Sequence, residues 1–240
     1  MNPAPLAAPW AVRFLEQGLG RLAHYHRHRA EGLEHVPATG PVIVAVNHSF
    51  ATYDGFLVAR AIYQATGRVG VGLGDDNIFK VPGLRRAAWR AGIRPARPTT
   101  GEALLAEGHL VYVAPGGMRE ALRPAAERYT VKWEKRKGFA RLSIVTGAPL
   151  VLAGCPAGDD LYDVHVNRLT VWAYKRHKLP LAMVTGRWGT PLPRPVELVH
   201  FIAPPLTPPP YNPATLEADV VAYHAQAVAT MNGLLERGRS

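Results

Sequence analysis

Asn47 and His48 close an apolar run, VIVAV, and a carboxylate, Asp54, follows the histidine six residues later. An imidazole is the common side chain that can take a proton near neutral pH, with an unperturbed pKa of about 6.5. With a carboxylate on Nδ1 to fix its tautomer and orientation, it becomes a general base for a hydroxyl. The alternative is a hydrogen-bonded histidine at a strand end, beside an aspartate that only caps the helix beginning DGFLVARAIYQATG. Other chemistries have less to work with. The serines are Ser49, Ser143 and Ser240, none of them in a G-x-S-x-G elbow. GVGLGD at 70–75 breaks the dinucleotide-loop spacing and reads as a glycine-rich strand end. No Walker loop or H-E-x-x-H is present. The single cysteine, Cys155, excludes an internal disulfide and reads as a small buried hydrophobe. His24, His26 and His28 alternate, but no acid or cysteine completes a ligand set, so no metal site is expected.

Three further segments accompany the histidine: NIFKVPGLRRAAWRAGIRPARP at 77–98, VYVAPGGMREAL at 111–122 and KWEKRKGFARLSIVTGAPLVLAG at 132–154. In this order and at these separations they resemble the glycerolipid acyltransferase superfamily (PlsC-like lysophospholipid acyltransferases), and most of all its diacylglycerol-acyltransferase-like branch. The resemblance covers roughly 31–210. Five residues, SFATY, separate His48 from Asp54 where the common form has four, and Ala114-Pro115-Gly116-Gly117-Met118-Arg119 stands for the common Phe-Pro-Glu-Gly-Thr-Arg block, with the acid displaced to Glu120.

The resemblance implies an O-acyltransferase that moves a fatty acyl group from a thioester to a lipid hydroxyl. His48 would be the base, Asp54 would orient it and stabilise the imidazolium, and no acyl-enzyme would form. No cofactor is implied beyond the co-substrate, acyl-CoA or acyl carrier protein. Substrate contacts are expected at Asn47, Lys80, Arg85, Pro115, Gly116, Gly117, Arg119, Glu120, Lys137 and Gly138. Gly116 and Gly117 offer backbone N–H groups to a thioester carbonyl or the oxyanion it becomes, unless they form a plain turn. Arg119 and Glu120 read as a charged pair shaping the acceptor site, or else as a surface ion pair of little energetic worth. Phosphate-using relatives are expected to hold the glycerol phosphate with an arginine in the second motif, yet 77–82 supplies only Lys80, a point charge without the guanidinium fork. With the Gly-Gly block, this favours a mono- or diacylglycerol or fatty alcohol over lysophosphatidic acid, unless Arg85 or Arg86 turns inward. Two other classes stand beside this reading: a hydrolase using the same dyad on water, and a non-catalytic basic membrane-binding module.

These residues need a scaffold that brings strand ends together. A Val/Ile/Ala run covered on both faces belongs to a parallel sheet, whose carboxyl-end rim collects ligands. Strand signals at VGVGLG, HLVYVA, PLVLAG and VELVHFIA alternate with helix signals at 54–67, LRRAAWRAG, a helix capped by Thr99-Thr100-Gly101-Glu102 and stopped at Gly108, and KGFARLSIVTG. Residues 155–195 read as irregular, and PPLTPPPYNP as a stiff loop before a closing helix. The expected architecture is a single-domain α/β sandwich with a largely parallel central sheet flanked by helices, spanning 31–240, plus an N-terminal amphipathic helical segment at 1–30.

Lys and Arg exceed Asp and Glu by 28 − 18 = 10 in 240 residues, which favours phosphate-bearing partners. Nucleic acid, acidic headgroups and coenzyme A all qualify; the resemblance selects the last two and leaves nucleic acid out. Two cationic clusters, Lys80/Arg85/Arg86/Arg90 and Lys132/Lys135/Arg136/Lys137, suit a polyphosphate donor or an anionic membrane, or are ordinary solvated faces. Within 6–29, Trp10, Phe14 and Leu22 fall near one stripe with Leu15 and Leu19 beside it, and Arg13, Arg21, Arg27 and Arg29 add cations. Such a segment lies in a lipid interface or packs as a surface helix. No apolar run reaches the ~18–20 residues of a membrane span, and the amino terminus lacks a signal-peptide pattern. The expected location is cytoplasmic, peripheral or monotopic on the inner membrane face.

Overall fold

The run that ends in Asn47 is buried at every position, Val42–Val46, and its neighbours follow from that. A strand with no exposed face must be paired on both edges and covered on both sides. The computed structural model describes residues 2–166, 170 and 183–237. Its strands are β1 (Arg29–Glu31), β2 (Val42–Val46), β3 (Val71–Gly74), β4 (Ile93–Pro95), β5 (Leu110–Val113), β6 (Leu150–Gly154), β7 (Asp163–His165), β8 (Met183–Thr185) and β9 (Val199–Ile202). Seven form one sheet in the order β1-β9-β6-β2-β5-β3-β4, and β7 and β8 pair as a separate antiparallel ribbon. Among the described strands of the large sheet only the β6–β9 pairing is antiparallel. The largely parallel α/β sheet read from the sequence is the one observed.

Among the described residues the α-helices are α1 (Pro9–Arg13), α2 (Gly20–Tyr25), α3 (Tyr53–Thr66), α4 (Asp76–Lys80), α5 (Pro82–Arg90), α6 (Pro98–Ala106), α7 (Gly117–Ala121), α8 (Gly138–Thr146) and α9 (Leu216–Arg237). Alternation along β2 divides the core. Ile43 and Ala45 join Leu104 and Leu105 of α6, Phe139 and Ile144 of α8, and Met231 and Leu235 of α9. Val42, Val44 and Val46 pack instead with Val58 and Ile62 of α3. Full burial of side chains of this size contributes about 1.5–3 kcal/mol each before chain entropy is set against it.

Several boundaries differ from the sequence reading. The helix expected from the Thr99 capping box begins at Pro98, with no side-chain cap, because proline at the first helical position already fits the helix. The single amphipathic helix expected within 6–29 is three short pieces: α1, a π-helical turn over Phe14–Gly18, and α2. Gly18 and Gly20 fall at the breaks, where the weak helix propensity of glycine matters most. Its stripe also divides otherwise: Leu19 and Ala23 enter a core cluster with Leu57, Cys155 and Leu198, and Leu15 and Leu22 pack against it. Trp10 and Phe14 stay outside. The boundary expected between 30 and 31 falls inside β1. Of the stretch expected to be irregular, 155–195, the residues 167–169 and 171–182 lie outside the described residues; the remainder holds β7 and β8.

Candidate active site

The carboxyl ends of β2, β5 and β6 lie side by side, so the loops leaving them meet at one rim. Asn47 fastens two of those loops. Its Nδ2 donates to the carbonyl of Cys155 at 3.2 Å and its Oδ1 accepts from the Cys155 N–H at 2.8 Å. The Asn47 side chain, expected to touch substrate, is thus occupied with backbone while also edging the cavity described below.

His48 follows, and its Nδ1 lies 2.8 Å from the carbonyl oxygen of Ser49. A carbonyl only accepts, so this contact places the proton on Nδ1 and leaves Nε2 with the basic lone pair. The bond expected from Nδ1 to Asp54 is not the one made. Ser49 stands between the two groups: its carbonyl takes the imidazole and its hydroxyl donates to Asp54 Oδ1 at 2.8 Å. Asp54 sits in the first turn of α3 and is buried, and its Oδ2 has no hydrogen-bond partner among the described residues. Burial pushes its pKa up, opposed by the Ser49 hydroxyl, the nearby His48 and the Gly55 N–H. A desolvated carboxylate attracts an imidazolium more strongly than a solvated one. The five-residue spacer closes through Thr52, whose φ of +61° is left-handed, at a cost of about 1–2 kcal/mol for a residue with a side chain.

The Gly116-Gly117 pair serves a purpose the sequence reading missed. A Cβ on Gly116 would lie 1.9 Å from Oε2 of Glu120, and Gly117 has a φ of +53°. The Gly117 N–H donates to the Ala114 carbonyl at 3.0 Å, so it closes a turn. The glycines make room for Glu120, which is fully buried and meets Arg123 at 3.3 Å and the Trp133 indole N–H at 3.2 Å. Burial raises its pKa to about 7 against the pull of Arg123. The Arg119–Glu120 pair is therefore not formed. Consecutive residues on α7 point apart, and Arg119 lies at the surface 3.6 Å from Glu134.

Beside His48 opens a cavity of about 680 Å³, within the ~300–1,000 Å³ range of small-molecule sites. Trp10, Phe14 and Leu15 wall it from the N-terminal pieces, Phe56 from α3, and Tyr112 and Val113 from β5. Gly70, just before β3, and Gly72, Leu73 and Gly74 within it complete it, so the GVGLGD stretch is cavity wall. His48, Asp54 and Gly117 border this space, as does Arg136 of the second cationic cluster. The other expected contacts lie elsewhere. Lys80 is exposed and donates to Asn77 Oδ1 at 2.8 Å, and Arg85 and Arg86 point to solvent from α5. Lys137 and Gly138 stand at the start of α8, and Pro115 lies within the turn that Gly117 closes, without lining the cavity. Among the described residues no cluster of His, Cys, Asp or Glu is arranged to hold a metal. His26 bonds the Val196 carbonyl and the Tyr53 hydroxyl, at 3.0 and 2.8 Å. His28 meets His200 at 3.0 Å.

Sequence reasoning passed over Ser49, Arg123 and Asp159. Arg123 follows Glu120 by three residues, a legible helical spacing, but its bond to Asp159 spans 36 residues and has no local signal.

A family model described as "Acyltransferase" matches residues 27–155. Among curated proteins, the chain is 27% identical over 235 residues to a Bos taurus protein named "DGAT1/2-independent enzyme synthesizing storage lipids", covering 92% of this chain and 67% of that one. The Homo sapiens protein of the same name is 26% identical over 214 residues, with 88% and 63% covered. The chain thus spans roughly two-thirds of the length of these relatives. Its fold is similar to the crystal structure of the 1-acyl-sn-glycerophosphate acyltransferase PlsC from Thermotoga maritima, with a TM-score of 0.60 at 18% identity, covering 94% of this chain and 79% of that one.

Proposed function

The chain belongs to the acyltransferase family, and from that premise we propose that it transfers a fatty acyl group from a thioester to the hydroxyl of a neutral glycerolipid or fatty alcohol, with His48 as general base. The observation that carries the reading is an imidazole with its Nε2 lone pair available beside an apolar cavity large enough for lipid chains.

His48 Nε2 takes the proton of the acceptor hydroxyl as its oxygen attacks the thioester carbonyl carbon. The tetrahedral intermediate collapses by breaking the C–S bond, and the departing thiolate recovers the proton from the imidazolium. The products are an ester and a free thiol. General-base help is worth about 10²–10⁴ in rate, with positioning and charge stabilisation adding to it. Asp54 steadies the imidazolium through space and through Ser49. The donor is acyl-CoA or acyl carrier protein, and Arg136 is the cation placed to meet its phosphates.

A neutral acceptor is supported by the mainly apolar lining and by the outward course of Lys80, Arg85 and Arg86. The storage-lipid naming of the mammalian relatives points the same way. Lysophosphatidic acid is the competing acceptor, because Arg136 offers a guanidinium at the cavity. We place the enzyme at an anionic membrane surface, held by the exposed Trp10 and Phe14 with the flanking arginines. No helix among the described residues is long and apolar enough to cross a membrane.

The test supplies purified protein with labelled palmitoyl-CoA and a panel of monoacylglycerol, diacylglycerol, fatty alcohol and lysophosphatidic acid in vesicles, with products resolved by mass spectrometry. Ester formation on a neutral acceptor, lost in folded His48→Ala by about 10²-fold or more, is the expected result. Asp54→Asn should cost less. Full activity in His48→Ala would overturn the base assignment, thioester loss without any acceptor would make the protein a hydrolase, and preference for lysophosphatidic acid would restore the phosphatidic-acid reading.

A further inference from the structure

Arg123 is 4% exposed and lies outside the cavity lining, yet it reaches the chain that leaves each of β2, β5 and β6. Its Nε and Nη2 donate to Asp159 Oδ1 at 3.1 and 2.5 Å, its Nη1 to Glu120 Oε1 at 3.3 Å and to the Thr130 carbonyl, and its Nη2 to the His48 carbonyl at 3.4 Å. A guanidinium has five N–H groups, and each has an acceptor here. The acceptors come from the loop after β2, from α7 and the chain that follows it, and from the loop after β6. Asp159 is fixed further by the Tyr129 N–H, which donates to Oδ2 at 2.8 Å. Its neighbour Gly158 backs the carboxylate of Asp54 so closely that a Cβ there would sit 2.8 Å from Asp54 Oδ2. One cation therefore holds His48 by its own carbonyl and Asp54 by the wall behind it.

We infer that Arg123 is a positioning residue for acyl transfer: its guanidinium binds the loops after β2, β5 and β6 into one frame that sets His48 and Asp54 relative to each other. The inference rests on the reading of His48 as the base. Loops are the least constrained parts of a fold, and a displacement of ~1 Å at reacting groups costs about 10² in rate. Lysine at this position keeps the charge but loses the planar fork that serves several acceptors at once.

Arg68 supplies an internal control. It is equally buried and donates to the carbonyls of Pro37, Gly40 and Gly108 at 2.7, 2.6 and 3.1 Å. Those carbonyls precede β2 and β5, at the opposite end of the sheet from His48.

The experiment compares full-length wild type, Arg123→Lys, Asp159→Asn, Arg68→Lys and His48→Ala. It measures folded fraction by near-UV circular dichroism, and kcat and KM for palmitoyl-CoA with whichever acceptor of the panel the wild type turns over fastest. Per folded molecule, Arg123→Lys and Asp159→Asn are expected to lose about 10²-fold in kcat with KM little changed, while Arg68→Lys keeps its kcat. If Arg123→Lys does not fold, Asp159→Asn decides alone. Wild-type kcat in the folded variants of this pair, with His48→Ala inactive, would overturn the positioning role and leave the base in place. An equal kcat loss in Arg68→Lys would also overturn it, by reducing the effect to general loss of structure. An active His48→Ala would remove both readings together.

Discussion

Ser49 divides two tasks between its two oxygens, the carbonyl holding His48 Nδ1 and the hydroxyl bonding Asp54. Ser49→Ala therefore keeps the tautomer contact but removes the donor that lowers the Asp54 pKa. Asp54 then protonates at higher pH, and once neutral it no longer favours the imidazolium, so the acid limb of the kcat profile should move to higher pH. A stability loss of about 1–3 kcal/mol should accompany it, from the orphaned carboxylate oxygen. An unmoved acid limb in folded Ser49→Ala would mean that Asp54 does not act through this bond. At Gly116 the expectation concerns folding: a Cβ 1.9 Å from Glu120 Oε2 leaves that carboxylate nowhere to go. Gly116→Ala should cost about 3 kcal/mol or more, seen as a lowered unfolding midpoint. Of these details the sequence disclosed the residue types and their order. It did not disclose that Ser49 would stand between His48 and Asp54, because that depends on backbone direction in a loop closed through Thr52. Nor did it place Glu120 inside, since an acid in a glycine-rich loop ordinarily faces water.

The element that shapes the cavity most directly is β3. Among the described residues a Cβ on Gly72 would meet only Ile93 Cγ1, at 3.7 Å, so a larger side chain there is free to grow into the cavity. Gly72→Leu should lower kcat/KM for palmitoyl-CoA relative to octanoyl-CoA by about 10–200-fold, as a filled hydrophobic pocket does. An unchanged chain-length profile would place the acyl chain elsewhere. At the far edge of the sheet, His28 bonds His200 of β9 at 3.0 Å. Burial lowers the His28 pKa to about 4, with Arg60 and His26 adding to it, and carries His200 well below the ordinary value. In the unfolded chain both imidazoles protonate below ~6.5 while the folded ones resist, so protons favour unfolding and stability falls as pH drops from ~6.5 towards ~4. His28 alone accounts for up to about 3 kcal/mol across that window. Urea midpoints at pH 7 and pH 5 should differ less in His28→Asn than in wild type. The long strands and helices were legible because continuous apolar runs and glycine stops mark them, as at PLVLAG and Gly147. The three-residue strands β1, β4, β7 and β8 were not, because pairing with a distant partner defines them and their composition does not.

At the scale of the whole molecule, a formal charge of +10 combines with Trp10 and Phe14, each more than half exposed, and with Leu84 and Trp89 on α5. The protein should float with anionic vesicles more than with neutral ones, and salt should weaken the association over a Debye length of about 8–10 Å. Trp10→Ala and Phe14→Ala are the variants for this test, since deleting the segment would strip Leu19 and Ala23 from the core. Equal flotation of wild type and both variants would return these side chains to the role of cavity wall alone. The parallel sheet and the gathering of site loops at its rim were readable from the alternation of strand and helix signals, whereas the docking of the N-terminal pieces over the cavity was not. That docking has a consequence in time. The N-terminal pieces lead into β1, which pairs with β9, and His26 bonds the Val196 carbonyl 170 residues away. Contacts so distant in sequence close late, after their loop entropy has been met by other structure. The strands β2 to β6 lie between them and can assemble while the first thirty residues are still searching. In pulse-labelled hydrogen exchange during refolding, the amides of Ile43 and Leu152 should gain protection before that of Arg29. A chain emerging from a ribosome would thus carry an open cavity, its apolar lining unroofed, until β9 has been made.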